Sequence, residues 1–188
     1  MYRTDLVELK KISPGVILDI RYATPHNFAA RTVYSSARCY LQRRTAERLD
    51  RVQRSLEIRG FGLKVFDGYR PLSVQKIFWS VLPDPQYVAD PLVGSKHNRG
   101  AAVDLTLVDR RGEELLMPTS FDDFTESAHH DYQGAQVEAI QNRNFLKSAM
   151  ESEGFLSFPS EWWHYDDPDW ERYPILNVSF ESLGAKEK

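Results

Sequence analysis

The sequence predicts an α+β fold with a mainly antiparallel sheet and flanking helices. Stretches in which polar and apolar residues alternate, as in strands, are separated by stretches with helical periodicity. These stretches do not follow the strict strand–helix–strand rhythm of a parallel sheet. The chain has 188 residues, the length of one domain, and no repeat, low-complexity segment or Pro/Gly/Ser-rich linker divides it. We therefore expect residues 1–188 to form a single domain.

The amino-terminal part contains the first predicted strand, helix and second strand. Residues 16–22 alternate and predict a strand. Residues 42–59 predict a helix that Gly60 ends, because the apolar residues of this segment fall on one stripe. Residues 63–66 predict a short strand that runs into a turn over residues 67–71.

The rest of the chain continues this mixture of helices and strands. A helix is predicted after the turn, since four apolar side chains recur there at helical spacing: Val74, Ile77, Phe78 and Val81. Residues 102–108 predict a strand with apolar side chains on one face and Asp104 on the polar face. A hairpin turn at 111–112, a helix over 136–153 and a late strand over 162–165 complete the prediction.

The composition excludes several classes of partner. Hydrophobic residues make up 41% of the chain and charged residues 27%, which is ordinary for a folded domain. The net charge of −3 is too small to indicate a nucleic acid or another polyionic partner. Arginines are crowded between residues 43 and 59, but acidic residues are interleaved with them, which is typical of a solvated helix face. We therefore expect no nucleic-acid partner.

The cysteine count and the hydropathy pattern indicate the compartment. Cys39 is the only cysteine, which excludes an intramolecular disulfide and a thiolate zinc cluster. The first residues lack the apolar core of a secretory signal, and no run approaches the ~20 apolar residues of a membrane span. The sequence therefore predicts a cytoplasmic protein with no membrane partner, and it predicts no particular oligomeric state.

Two segments carry residues suited to a metal ion. Catalytic zinc sites use three His or carboxylate ligands and leave a fourth position for water. The segment from Ser95 to Asp104 supplies His97 and Asp104, and Gly100 allows a sharp turn between them. An aspartate in a strand with an apolar opposite face is costly unless it is paired or coordinates a metal. His164 is flanked by aromatic rings that would shield a metal from water, and it is the third candidate ligand.

Glu161 and Arg70 are the candidate catalytic residues. Glu161 precedes His164 by three positions, an offset that places the two on opposite faces of a regular strand. We therefore expect Glu161 in the preceding loop or at a bulge, from which its carboxylate can move a proton between an activated water and a leaving amine. Arg70 follows a predicted strand, where it can donate to an oxyanion or bind a substrate carboxylate.

Several of these features also have a simpler explanation. A single histidine is more often structural than a ligand, and Trp162 and Trp163 are by themselves most simply core residues. His26 has no partner pattern, and His129 and His130 form a rival ligand pair that we discount because adjacent residues rarely share one metal. No Gly-rich phosphate loop and no Gly-x-Ser-x-Gly elbow is present, so nucleotide binding and serine hydrolysis have no support.

Taken together, the segments resemble the D-alanyl-D-alanine dipeptidase family, the zinc enzymes that include the vancomycin-resistance dipeptidases. The Ser-x-His-x-x-Gly-x-Ala-x-Asp signature of the wider zinc D,D-peptidase group is matched by residues 95–104. The family's Glu-x-x-His element is matched by residues 161–164, and its Asp-Gly-Tyr-Arg-Pro turn by residues 67–71. Residues 21–28 resemble the early tyrosine segment, and residues 121–130 resemble the region of the ammonium-binding aspartate.

The resemblance covers residues from about 16 to 166 and implies a fold, a cofactor and an activity. The implied fold is the hedgehog-like α+β fold of the zinc D,D-peptidases. The implied cofactor is one Zn²⁺ per chain, and its implied ligands are His97, Asp104 and His164. The implied reaction is hydrolysis of the small dipeptide D-Ala-D-Ala into two D-alanines, with Glu161 as general base and then acid and Arg70 beside the oxyanion. The implied substrate-binding residues are Tyr22, Asp67, Ser95 and Asp122.

Two alternatives stay open at the level of sequence. A zinc D,D- or L,D-carboxypeptidase that acts on peptidoglycan stem peptides would use the same chemistry in an open groove. A zinc-stabilised binding module without catalysis is a third hypothesis, and the presence of both Glu161 and Arg70 argues against it, because a structural site needs neither. Residues 83–94 form a compact segment that we expect at the rim of the pocket.

Overall fold

The computed structural model describes residues 5–185, which fold into two sheets flanked by helices. The strands are β1 (Leu6–Glu8), β2 (Ile17–Leu18), β3 (Tyr40–Gln42), β4 (Phe61–Asp67), β5 (Ala102–Asp109), β6 (Leu156–Phe158) and β7 (Glu161–Asp166). The α-helices are α1 (Leu9–Ile12), α2 (Arg43–Ile58), α3 (Leu72–Val81), α4 (Val137–Ser152) and α5 (Phe180–Ala185). Short 3₁₀ turns cover Arg21–Ala23, His97–Arg99, Glu126–Ala128 and Trp170–Arg172.

The main sheet has five strands in the order β2-β4-β5-β7-β6. Strand β2 runs parallel to β4, whereas the pairs β4–β5, β5–β7 and β6–β7 are antiparallel. Strands β1 and β3 form a separate antiparallel pair. The prediction of an α+β fold with a mainly antiparallel sheet is therefore confirmed.

The longer predicted elements are confirmed, and one predicted strand is wrong in its length. Helices α2, α3 and α4 and strands β4, β5 and β7 lie within two residues of their predicted bounds. The strand predicted over residues 16–22 is reduced to the two residues of β2, and the chain then turns at Arg21–Ala23. This turn directs the buried ring of Tyr22 against Phe78, with ring centroids 4.6 Å apart, and that packing removes the segment from the sheet.

The core lies between the main sheet and its helices. Strand β5 is central in the sheet, and Ala102–Val108 is buried throughout on both faces. The apolar stripe predicted for α2 is likewise buried, whereas Arg51 and Arg54 on its exposed side pair with Glu153 and Asp50. This pairing agrees with a solvated helix face. Across residues 5–185, no helix combines the length and the apolar character needed to cross a membrane.

Candidate metal centre

Three predicted ligands converge at one end of the central strands of the main sheet. Asp104 on β5 and His164 on β7 lie directly opposite each other in the antiparallel register, so their side chains project from the same face. His97 lies in the 3₁₀ turn that precedes β5, and Gly100 follows it with a φ of 67°. This positive φ is a backbone conformation that residues with a side chain rarely adopt, so glycine is favoured at position 100.

The geometry of the three side chains suits a tetrahedral ion. His97 Nε2 lies 3.1 Å from His164 Nδ1, His164 Nδ1 lies 3.0 Å from Asp104 Oδ1, and His97 Nε2 lies 3.4 Å from Asp104 Oδ1. Ligand atoms at about 2.0–2.1 Å from a tetrahedral zinc lie about 3.3–3.4 Å from one another. All three side chains are almost fully buried, so the atoms would bind an ion with little competition from bulk water.

Each of the two imidazole rings has a hydrogen-bond partner on the side away from the other candidate ligands. These partners determine which ring nitrogen carries the proton and which one faces the other ligands with a lone pair. His97 Nδ1 lies 2.8 Å from the carbonyl oxygen of Gly68, which can only accept, so Nδ1 carries the proton and Nε2 is left with a lone pair. His164 Nε2 lies 2.8 Å from Asp166 Oδ1 and donates to it, which leaves Nδ1 with a lone pair. Two lone pairs and a carboxylate oxygen therefore point at one another, an arrangement that needs a cation or a proton between them.

The electrostatics of the buried centre lead to the same requirement. Burial raises the pKa of Asp104, but His97 and His164 outweigh that effect and hold it well below its usual range. Burial lowers the pKa of His164, but Asp166 and Asp104 raise it well above its ordinary value. Positive charge is thus strongly favoured at this point of the fold. A divalent ion with His, His and Asp ligands fits the donor set, which contains no thiolate.

Glu161 lies beside the three converging side chains. It is the first residue of β7, next to a shift in the register with β6, so the irregularity expected from its spacing to His164 is present. Its Oε2 lies 3.7 Å from His164 Nδ1. Burial raises the pKa of Glu161 to about 8. His164 opposes this rise, whereas Asp104 and Asp122 add to it. A carboxylate with this pKa can exchange a proton near neutral pH.

Arg70 faces the same cavity and is held from behind by Asp67. Its Nε and Nη2 donate to Asp67 Oδ2 at 3.1 and 2.7 Å, and its Nη1 donates to Gln75 at 3.0 Å. Asp67 is fully buried, accepts further hydrogen bonds from Tyr34 and from the backbone of Gly68, and does not line the cavity. The structure therefore places Arg70 at the cavity wall and Asp67 one layer behind it.

Asp122 and Tyr22 meet at another part of the cavity wall. The hydroxyl of Tyr22 donates to Asp122 Oδ1 at 2.9 Å, and the backbone N–H of Phe28 lies 3.4 Å from Oδ2. Burial raises the pKa of Asp122 to about 7, and the hydrogen bond from Tyr22 opposes that rise. Asp122 has a φ of 62°, an unusual backbone conformation for a residue other than glycine and one that is common at functional sites.

One cavity of about 390 Å³ joins these groups. Its wall includes all the predicted site residues except Asp67: Tyr22, Arg70, Ser95, His97, Asp104, Asp122, Glu161 and His164. The hydroxyl of Ser95 also accepts from the backbone N–H of His97 at 3.0 Å and so helps to fix the turn. Residues 85–89 and 93–94 line the rim, as predicted for this segment. The cavity is therefore of small-molecule size and carries acidic, basic and metal-binding groups together.

Comparisons with known proteins give the family. A family model described as D-ala-D-ala dipeptidase, Peptidase_M15, matches residues 2–182. The chain belongs to this dipeptidase family. The D-alanyl-D-alanine dipeptidase of Escherichia coli (strain K12) is 37% identical over 177 residues, which cover 94% of this chain and 92% of the relative. The D-alanyl-D-alanine dipeptidase of Enterococcus faecium is 35% identical, with coverage of 92% and 95%.

Members of this family are hydrolytic enzymes, and a solved structure supports the fold independently. The LdcB LD-carboxypeptidase superposes with a TM-score of 0.51 at 16% identity, covering 100% of this chain and 74% of its own. The prediction of a zinc D,D-peptidase type of fold is confirmed at the level of the family. Because this neighbour is a carboxypeptidase, the architecture by itself does not decide which peptide is cleaved.

Sequence reasoning missed the groups that hold the predicted residues in place. The partner of His97 is a backbone carbonyl, at Gly68, and no residue pattern reveals which carbonyl a ring will meet. Asp166 could have been found, because it follows His164 by two positions and so shares its side of β7. The rival pair His129–His130 does not join the converging ligands, and His130 packs against Tyr165 instead, with ring centroids 6.1 Å apart.

Proposed function

We propose that this chain is a zinc-dependent dipeptidase that hydrolyses free D-Ala-D-Ala into two D-alanines. The observation that carries the proposal is the convergence of two imidazole lone pairs and a carboxylate oxygen beside Glu161, in one cavity whose wall also includes Asp122. Membership of the dipeptidase family supports the choice of substrate. One Zn²⁺ per chain, held by His97, Asp104 and His164, completes the site, and no nucleic acid or membrane takes part.

When held by His97, Asp104 and His164, a zinc ion would supply Lewis acidity at the scissile carbonyl and would lower the pKa of a bound water toward about 7. Glu161 accepts a proton from that water and donates it to the leaving amine, so it acts first as base and then as acid. The position of Glu161 suits both steps, because its carboxylate lies 3.7 Å from His164 Nδ1, one of the proposed ligand atoms. The buried wall around it keeps bulk water from competing for the proton.

Arg70 stabilises the negative charge that develops on the carbonyl oxygen. Its guanidinium is buried, and although burial lowers its pKa, the charge of Asp67 outweighs that effect, so it stays protonated. Asp67 and Gln75 fix the guanidinium from behind, which leaves its remaining N–H groups for the cavity. We assign Asp67 the task of positioning Arg70, in place of the direct substrate contact that the sequence suggested.

Asp122 selects a substrate with a free amino terminus. A carboxylate in a low-dielectric wall is favoured when an ammonium group lies beside it, and the hydroxyl of Tyr22 already fixes one of its oxygens. Removing one partner of such a buried pair costs roughly 3–5 kcal/mol. An N-acylated substrate lacks the ammonium and adds bulk, so it fits neither the charge nor the space. Ser95 lies at the same wall and contributes a hydroxyl toward the substrate.

The experiment that tests this proposal compares three substrates on the zinc-loaded protein. D-alanine release is measured from D-Ala-D-Ala and from N-acetyl-D-Ala-D-Ala, and L-alanine release from L-Ala-L-Ala, with Glu161→Gln as the control for contaminating peptidases. We expect efficient cleavage of free D-Ala-D-Ala and a loss of roughly 10²-fold or more for the acetylated substrate, as the cost of an unpaired buried charge implies. L-Ala-L-Ala keeps the ammonium group, so its rate of cleavage reports the stereochemical preference of the cavity separately. Equal cleavage of the acylated substrate would replace the dipeptidase with a carboxypeptidase.

A further inference from the structure

A chain of three polar groups leads outward from the back of His164. His164 Nε2 lies 2.8 Å from Asp166 Oδ1, and the other oxygen, Asp166 Oδ2, lies 2.7 Å from Lys96 Nζ. The side chain of Asp166 is only 6% exposed, whereas that of Lys96 is 29% exposed and lies at the cavity rim. Each carboxylate oxygen of Asp166 therefore has one partner, a histidine on one side and a lysine on the other.

Lys96 is held in this position by more than the ion pair. Its Nζ lies 5.4 Å from the ring centroid of Phe158 and 5.4 Å from that of Trp170, so two aromatic faces attract the ammonium group. A lysine side chain offers only hydrogen-bond donors. Whatever group occupies position 166 must therefore present an acceptor to Lys96.

The ion pair also joins the two segments that carry the histidine ligands. Lys96 is the residue before His97, and Asp166 lies two residues after His164 on the same strand. Strand β7 places residues two apart on one side, so Asp166 reaches back to the ring of His164. The bridge between Lys96 and Asp166 thus ties the turn before β5 to β7 immediately behind the metal centre.

We infer that Asp166 and Lys96 are positioning residues that keep His164 in the tautomer whose Nδ1 is free to bind the metal. The inference rests on the proposed zinc function. Asp166 accepts the Nε2 proton, and Lys96 occupies the second oxygen so that Asp166 presents a fixed acceptor to the ring. A histidine with its proton on Nδ1 would turn a donor toward the metal and lose its place as a ligand.

An amide at position 166 makes this division of roles testable. In Asp166→Asn, Lys96 can still only donate a hydrogen bond, so the amide oxygen turns toward Lys96 to accept it. The NH₂ group of the amide then faces His164 Nε2. That ring nitrogen must then accept, which drives the proton to Nδ1, the wrong position for the metal. Replacing Lys96 with methionine removes the need for a hydrogen-bond acceptor on this side of residue 166, because the methionine side chain packs against the same aromatic rings without donating a hydrogen bond. The amide can then turn its oxygen to Nε2.

The experiment measures zinc dissociation constants of the full-length protein by competition with a chromophoric chelator. Four variants are compared with the wild type: Asp166→Asn, Lys96→Met, the double variant, and Asp50→Asn as a matched control on α2, where Asp50 pairs with Arg54. We expect Asp166→Asn to bind zinc roughly 10–100-fold more weakly. The double variant should recover most of that loss, and Asp50→Asn should bind like the wild type. Thermal unfolding of the metal-free proteins checks that every variant folds.

Two results would overturn the inference while leaving the proposed function in place. The first is that the wild-type protein binds one zinc and the Asp166→Asn variant binds zinc with the same affinity. The second is a double variant that binds as weakly as Asp166→Asn or more weakly, because losses that add would make Lys96 a separate contributor. A wild-type protein that takes up no zinc would overturn the proposed function, and this inference with it.

Discussion

At the scale of the residue, the chemistry depends on buried polar atoms that the fold leaves facing one another in one cavity. Glu161 is the clearest example, because burial raises its pKa to about 8 while its carboxylate lies 3.7 Å from a proposed ligand nitrogen. We expect Glu161→Gln, which keeps the shape and removes the charge, to lower the turnover of D-Ala-D-Ala by roughly 10²–10⁴-fold. Zinc content, measured by atomic absorption on the same sample, should stay at one per chain.

The outcome for zinc content distinguishes two roles for Glu161. If zinc were lost together with activity, Glu161 would be a ligand and not the proton carrier. Ser182→Ala, on the surface of α5, is a suitable control, since its exposed hydroxyl bonds only within that short helix region. It should change neither turnover nor zinc content.

Asp122 gives a prediction about pH. Its pKa of about 7 means that the carboxyl is neutral below that value and cannot pair with an ammonium group, whereas above it the pair forms. The α-amino group of a peptide loses its proton near about pH 8, so binding should be tightest between these values. The measurement uses a Glu161→Gln variant, because it does not hydrolyse the dipeptide and it lacks the other carboxyl group that titrates in this range. We expect the Kd of D-Ala-D-Ala to rise roughly tenfold when the pH is lowered from about 7.5 to about 6.

Calorimetry of the same protein with Asp122→Asn added provides the matched comparison. This variant should bind the dipeptide weakly, and its Kd should not vary over the same range of pH. Equal affinity of the Glu161→Gln protein at both pH values would show that Asp122 does not pair with the substrate's ammonium group.

At the scale of the element, irregularities in the strands bring the site together. The pairing of β4 with β5 shifts register between Val65 and Asp67, which places Asp67 opposite Asp104 at the end of β4. The turn that follows carries Gly68, whose carbonyl oxygen fixes His97. This turn packs closely against β3 and the residue before it, because a β-carbon on Gly68 would lie 2.5 Å from Cys39 Sγ and 3.0 Å from the backbone oxygen of Tyr40.

Gly68→Ala should therefore damage the metal centre without touching a ligand. Because the backbone of β3 cannot retreat easily, the turn must shift, at a cost of about 1–3 kcal/mol in the free energy of unfolding, and the carbonyl must move away from His97. We expect weaker zinc binding, measured by chelator competition. Gly134→Ala is the matched control, since its added methyl would meet only the end of the Tyr132 side chain in an exposed loop. Unchanged zinc affinity in Gly68→Ala would argue against the role of this carbonyl.

The same elements show how much of the structure can be predicted from the sequence. Helix α2 and strand β5 could be predicted because their side-chain periodicity extends over many residues, and the residue spacing around Glu161 already required a break in the strand. Strands β1, β3 and β6 have three residues each, too few for a period to be visible, and they exist because a partner strand is present. The acceptors of the two imidazoles depend on how distant segments meet, so they come from the three-dimensional structure alone.

At the scale of the whole molecule, the fold brings opposite charges to separate parts of one small cavity. Arg70 and the metal ligands lie where the central strands end, Asp122 lies on the loop beyond β5, and the segment around Tyr87 closes the rim. The central strands that carry Asp104 and His164 are buried on both faces, and buried central strands are among the last parts of a protein to open. The metal-free protein should for that reason retain the arrangement of its ligands.

A zinc titration of the metal-free protein, combined with an assay of D-alanine release from D-Ala-D-Ala, tests whether the converging side chains form a catalytic metal site. If His97, Asp104 and His164 form one catalytic zinc site, activity is absent without metal, rises in proportion to added zinc and stops rising at one equivalent per chain. Full activity in the metal-free protein, or no activity on this dipeptide at any zinc concentration, would show that these side chains do not form a zinc-dependent D-Ala-D-Ala dipeptidase site.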